Sequence, residues 1–224
     1  MCDGVYSMRV FLILAGLGLI TSAAEAQTSS YEAVERARYE ACLERIETDP
    51  ENAYEDALTW KFDGGGWPAL HCEARALVTL GEEEGARRME AMGMATDGGN
   101  DAMRVLVLAE AGEAWLLAGE AENARRAYTN ALSFNEDSAP LWMGRARAAL
   151  EQDMWSAAEA DATAAISYDA TLMEAWRARA LARLEQGQLD GAESDMSRAR
   201  QLDPADIETL VIRGRIIEAR RLGG

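Results

Sequence analysis

Sliding the sequence against itself by 34 residues brings like onto like, and this periodicity constrains the fold more than any single motif. Trp142 falls on Trp176, Ala158 on Ala192, Ala165 on Ala199, and Glu151-Gln152 on Glu185-Gln186. One step earlier, Ala124 and Ala131 extend the two alanine columns, and Gly119 lines up with Gly187 two steps on. Small residues recurring at these positions let two helices approach closely, while tryptophans and large apolar residues fill the space between hairpins. A single amphipathic hairpin cannot bury its apolar face alone, so such units fold by stacking. No run alternates polar and apolar residues as a half-buried strand does.

The periodicity predicts helices over 31–47, 51–62, 69–80, 83–94, 102–117, 120–133, 138–151, 154–167, 172–185, 188–201 and 205–221. All four prolines (Pro50, Pro68, Pro140, Pro204) fall between these segments or in a first helical turn, where the missing N–H costs nothing. Gly64-Gly65-Gly66 is the sharpest break. The organisation expected is a leader (1–26), an amino-terminal helix pair (27–66), a degenerate repeat (67–101), three good repeats (102–204) and a closing helix (205–224). In that closing helix Leu210, Gly214 and Ile217 are expected on the packing face. Glu208, Arg215, Glu218, Arg220 and Arg221 are expected to make a polar side.

From about Met103 to Pro204 the chain resembles the tetratricopeptide repeat family, whose pattern is W-x₂-L-G-x₂-Y…A-x₃-F…P. Trp176 through Gly187, Ala192 and Ala199 to Pro204 carries one subset of that pattern. Gly112 and Trp115 through Gly119, Ala124, Tyr128 and Ala131 carry another. Leu77, Gly81 and Ala86 mark a degenerate unit upstream. The resemblance implies an all-α fold: a right-handed superhelix of stacked antiparallel helix pairs, an α-solenoid, ended by a capping helix. It also places Trp115, Trp142 and Trp176 at packing positions rather than on a ligand platform.

Two departures from the pattern are informative. Where the family has Leu, the two best repeats carry Arg145 and Arg179, and sixteen residues after each comes an acid, Asp161 and Asp195. In the preceding repeat both equivalents are alanine, Ala111 and Ala127. Presence or absence together points to a structural Arg–Asp bridge across a hairpin, which fixes geometry more than it adds net stability.

The amino terminus reads as an address label. Arg9, the apolar run Phe11–Ile20 and the small-residue pattern Ala24-Glu25-Ala26 are the three parts of a secretory signal peptide, cleaved before Gln27. The alternative is a retained anchor, but a span needs about 20 apolar residues and this run is half as long. No other stretch predicts a membrane span. Export into an oxidising compartment makes Cys42 and Cys72 a candidate disulfide, with two buried thiols as the alternative. On this reading both lie on the first helices of successive pairs. A Cys–His nucleophile from His71-Cys72 is disfavoured, because adjacent helical residues point about 100° apart.

Charge and composition narrow the function. Twenty-two Lys+Arg face 39 Asp+Glu, a formal −17, and phosphate backbones repel such a surface, so nucleic acid is not an expected partner. With one histidine there is no ligand-spaced His/Cys cluster, no nucleophile–base pair and no phosphate-cradling glycine loop, so no metal, no cofactor and no catalytic residue is expected. The loop Asp97–Asp101 offers at most weak cation binding. The remaining surface is the concave face lined by the first helix of each repeat: His71, Arg75, Leu106, Glu113, Leu116, Met143, Arg147, Arg177, Leu181, Arg215 and Glu218. Four arginines against two acids suggest a neutral to slightly basic groove for a peptide bearing carboxylates, unless those arginines pair with acids of the next helix. The resulting expectation is a non-catalytic interaction scaffold of the bacterial envelope, in the periplasm, binding another exported protein or peptide. A holdase with broad clients, or an end-to-end spacer, are the alternatives.

Overall fold

The computed structural model describes residues 32–95 and 100–223. Among these residues are eleven helices and no strand: α1 (32–48), α2 (Pro50–Phe62), α3 (Gly66–Thr79), α4 (Glu83–Met94), α5 (Asp101–Leu117), α6 (Ala121–Leu132), α7 (Ala139–Leu150), α8 (Trp155–Tyr168), α9 (Met173–Glu185), α10 (Leu189–Leu202) and α11 (Ile207–Gly223). The signal-like leader and Asp97–Gly99 lie outside the described residues. Two compact units divide the chain, Met1–Cys72 and Glu73–Gly224.

In the first unit, Asp49 caps α2 by accepting from the Asn52 amide at 3.3 Å, and Pro50 occupies the first turn. Helix α3 opens three residues earlier than the periodicity predicts, because Pro68 sits in a first turn that needs no N–H from it. A Cβ on Gly65 would lie 2.4 Å from the Trp60 ring, so only glycine lets the chain turn tightly against this buried indole. Trp60 donates to Glu35 at 2.8 Å, and the Arg38 guanidinium lies 5.0 Å from its ring centre. Cys42 and Cys72 form a disulfide with Cα atoms 6.3 Å apart, closing a separation of 30 residues. His71 departs from its expected place on an open face. It is buried, 2.5 Å from the Tyr39 hydroxyl through Nδ1, with its ring stacked 4.8 Å from Trp67. Its neighbour on the helix takes part in the disulfide, and both side chains turn inward.

In the second unit, short connections fold successive helices back on one another, and α5–α6, α7–α8 and α9–α10 form stacked pairs. Ala124, Ala131, Ala158, Ala165, Ala192 and Ala199 are all fully buried, which lets the paired backbones come close. Between Gly112 and Gly144 sits the Tyr128 ring, with no space for a methyl on either glycine. The turns between paired helices pass through a left-handed residue: Gly81, Gly119, Asp153 and Gly187, with φ of 82°, 77°, 56° and 75°. Asp153 is the non-glycine member of this series.

The closing helix α11 packs differently from expectation. Its buried residues are Thr209, Ile212 and Ile216, against Ala180, Leu184, Ala192, Met196 and Ala199. Leu210 and Ile217 are about half exposed, and a Cβ at Gly214 would meet nothing within 4 Å. The reason is positional. These residues stand one period after Trp176, Ala180 and Arg183, which face their own second helix, and no second helix follows α11 among the described residues.

Candidate functional site

Two successive hairpins carry the same module. Arg145 lies 4.6 Å from the Trp142 ring centre and forks onto Asp161, through Nε at 2.9 Å and Nη2 at 2.7 Å. Its Nη1 reaches Thr129 Oγ1 on the preceding helix at 3.3 Å. Arg179 repeats this over Trp176 (4.9 Å), with Asp195 at 3.0 and 2.7 Å and Thr163 at 3.3 Å. Asp195 also accepts from Arg183 at 2.8 Å. Trp142 and Trp176 are half-buried and donate to backbone carbonyls six residues back, of Glu136 and Ala170, at 2.7 and 2.9 Å. Trp115 is fully buried. In the preceding hairpin Ala111 and Ala127 are buried with no charge to match. These contacts tie each first helix to its own second helix and to the second helix of the preceding hairpin.

The residues expected to line one groove divide between two clefts of the second unit. Arg75, Leu106 and Glu113 line a cleft of about 340 Å³. Leu116, Met143, Arg147, Arg177, Leu181 and Arg215 line a larger one of about 740 Å³, built on α5, α7, α9 and α11. Met143 and Ile212 are buried in its floor, and Leu116, Leu150, Trp155 and Leu181 are half-buried around them. Glu218 stands apart, bonded to Arg221 at 2.6 Å.

Every arginine in this set has an acid of the same chain against it. Arg147 contacts Glu113 at 2.9 Å, Arg215 contacts Glu185 at 2.5 Å, and Arg75 approaches Glu110 to 3.8 Å. Arg177, half-buried, holds Asp206 at 2.9 Å and Glu208 at 2.8 Å. Glu113 is also the acceptor for Tyr128 at 2.5 Å; burial, then that hydrogen bond, pushes the phenol above its usual range. The larger cleft carries three arginines against five carboxylates, Glu151, Asp153, Glu174, Glu185 and Glu208. The neutral-to-basic balance expected from the first helices is therefore reversed, because acids from turns and helix starts also reach the rim. Glu151 and Asp153 make no ion pair among the described residues. Asp153 stands on this rim one period after Gly119 and one before Gly187, and the break in that left-handed glycine column is the sequence signal that marks it.

No group of three or more His, Cys, Asp or Glu residues with metal-holding geometry occurs among the described residues. Asn100, at the end of the loop considered for a cation, caps α5 by accepting from the Met103 amide at 3.0 Å. No described helix is long and apolar enough to cross a membrane.

Stacked helix pairs with a cleft along their first helices define a helical-repeat protein. Its fold is that of tetratricopeptide-repeat domains. The chain is similar to the first such domain of human RPAP3 (26% identity over 52% of this chain and 92% of that one, TM-score 0.51). It is also similar to that of Arabidopsis OM64 (28%, 52% and 97%, 0.51). The first repeat domain of Spaghetti (RPAP3), solved bound to the HSP90 peptide SRMEEVD, matches at 25% identity over 55% of this chain and 97% of its own (TM-score 0.53). MamA, at 15% identity over 76% of this chain and 92% of its own, shares the fold with a TM-score of 0.62. No protein-family model matches the sequence, and no curated protein matches it.

Proposed function

We propose that this chain is a non-catalytic scaffold of the bacterial cell envelope, whose larger cleft holds a short segment of an exported partner. The segment sets apolar side chains on the Met143–Leu181–Ile212 floor and a cationic side chain over Glu151 and Asp153. The observation that carries this reading is Asp153. A left-handed non-glycine residue is uncommon and costs conformational energy that glycine avoids, and here it brings an unpaired carboxylate to the cleft. The −17 charge of the chain works in the same direction at long range. The envelope assignment rests on the leader pattern, on Cys42–Cys72, and on arginine greatly outnumbering lysine, a mark of GC-rich coding. Amino-terminal sequencing of the exported chain tests it, with Gln27 as the expected first residue.

A second reading is favoured by the neighbours solved with acidic peptides ending in EEVD. Arg147–Glu113 and Arg215–Glu185 are about half exposed, so each pair is worth about 0–1 kcal/mol, and a peptide carboxylate can exchange with the chain's own acid. Fluorescence anisotropy with two labelled peptides of about twelve residues, identical in leucine content but bearing either lysine or glutamate, separates the readings. Tighter binding of the lysine peptide, weakened by Asp153→Gly and lost in Leu181→Asp, is the expected result. Preference for the glutamate peptide sinks the cationic reading in favour of the second. Indifference to charge across many apolar peptides marks a holdase.

A further inference from the structure

Four positions on the first helix of each good hairpin form a stripe against its second helix. In α7 they are Trp142, Arg145, Ala146 and Ala149; in α9 they are Trp176, Arg179, Ala180 and Arg183. Ala146 packs on Ala162 and Ala165 of α8, and Ala180 on Ala192 and Ala199 of α10. Each arginine clasps the aspartate between the small residues of its second helix, in Ala158-x₂-Asp161-x₃-Ala165 and Ala192-x₂-Asp195-x₃-Ala199. One period later the stripe is Leu210, Arg213, Gly214 and Ile217 on α11.

There the stripe is open. Ala146 and Ala180 are 0% exposed, whereas their counterpart Gly214 faces open space, and Leu210 and Ile217 are 48% and 56% exposed. Val211 and Ile207 widen the apolar patch, at 57% and 75%. Arg213 has no ion pair among the described residues, although Arg145 and Arg179 at the same register each hold a carboxylate. Exposed apolar residues flanking an arginine with no acid are the counterpart of a helix that brings both methyls and an acid.

We infer that this face of α11 is a docking site for one α-helix of another protein, a helix carrying an aspartate or glutamate between small residues. The docked helix takes the place that α8 holds on α7 and α10 holds on α9. Its small residues lie over Gly214, its larger apolar side chains cover Leu210 and Ile217, and its carboxylate accepts from Arg213. This site is separate from the cleft and does not depend on what the cleft binds.

The test uses the full chain and, as probe, a fluorescein-labelled peptide of the α8 sequence Trp155–Tyr168, stapled on its solvent side and shown to be helical by circular dichroism. Saturable binding is expected, weakened roughly tenfold by Arg213→Ala in the protein or by Asp161→Asn in the peptide. The two changes together should cost little more than either alone, because they remove the same contact. Ile217→Asp should abolish binding, and since Ile217 and Arg213 are not buried, both variants should keep the native far-ultraviolet spectrum. Absence of saturable binding by the helical peptide, or binding indifferent to Arg213 and Ile217, overturns the inference. Sedimentation provides a second criterion. Self-association of the chain that Ile217→Asp abolishes would make the occupant a second copy, and would overturn it as well.

Discussion

Gly144 and Gly214 are both mid-helix glycines, and replacing either by alanine should shift stability in opposite directions. Propensity alone favours alanine at both by about 0.8–1 kcal/mol. At Gly214 nothing lies within 4 Å of the added methyl, so that gain should appear in full. At Gly144 the methyl would stand 2.3 Å from Tyr128 Cε1 and Cζ, more than 1 Å inside ordinary contact. The ring has nowhere to retreat. Gly112 confines its other face, where a methyl would come within 2.7 Å, and Glu113 holds its hydroxyl at 2.5 Å. Overpacking of this kind costs about 1–3 kcal/mol, and a confined ring belongs at the upper end, which leaves Gly144→Ala about 2 kcal/mol less stable after the propensity gain. Thermal melts followed at 222 nm should show Gly144→Ala lowered by about 4–8 °C and Gly214→Ala raised by about 2–4 °C. A Gly144→Ala protein as stable as the native one would refute the confinement of Tyr128, and a neutral Gly214→Ala would mean that this face is already covered.

Asp195→Ala strips the acceptor from both Arg179 and Arg183 inside a nearly dry contact, and should cost about 3–5 kcal/mol in urea denaturation, whereas breaking the exposed Arg87–Glu83 pair should cost under 1. Reduction of Cys42–Cys72 releases a loop of 30 residues and should destabilise the first unit by about 3.7 kcal/mol, read as an earlier unfolding transition with reductant that the Cys72→Ala protein shows without it. Stability should also fall on acidification. Burial raises the Glu159 pKa, but hydrogen bonds from Arg183, Gln186 and Gln188 outweigh it, and the Asn52 side chain and backbone hold Asp49 down. Carboxyls depressed in the folded state contribute stability above their unfolded pKa and lose it as pH drops through the folded one, so melting temperatures should decline below about pH 4.5 and keep declining toward pH 3. Glu159→Gln should flatten that decline.

Helix positions were legible because they follow from local chemistry. Pro50 and Pro140 stand in first turns, Gly81, Gly119 and Gly187 take left-handed turns, and the alanine columns mark where backbones meet. The Arg–Asp spacing of sixteen was equally visible, since both partners move together through the repeats. What a period cannot convey is whether the structure opposite a residue exists. Leu210, Gly214 and Ile217 have the register of packing residues, and among the described residues no helix lies opposite them. The charge of the cleft escaped for a different reason. Its acids are themselves in register, Glu151 with Glu185, Glu174 with Glu208 and Asp153 with Gly119 and Gly187, but they stand at helix ends and in turns, outside the helix faces from which the groove was counted. His71 looked like a surface residue on a face count, but stacking on Trp67 and contact with Tyr39 come from side chains distant in sequence or outside the repeat pattern.

The short reach of the second unit's polar contacts bears on how the chain comes to be folded. Among the described residues from Glu73 onward, the hydrogen bonds seen between side chains of different helices join residues within about one repeat of each other, as Asn130 joins Glu90, 40 positions away. A hairpin therefore has its partners within reach once the next one has been synthesised, and it need not wait for the far end of the chain. Assembly can run as a zipper in the direction of synthesis, each pair laid on the one before. Helix α11 packs Ile212 and Ile216 onto α9 and α10 and turns Leu210 and Ile217 outward, so the same step that adds a helix to the stack also offers a face on which another can be laid.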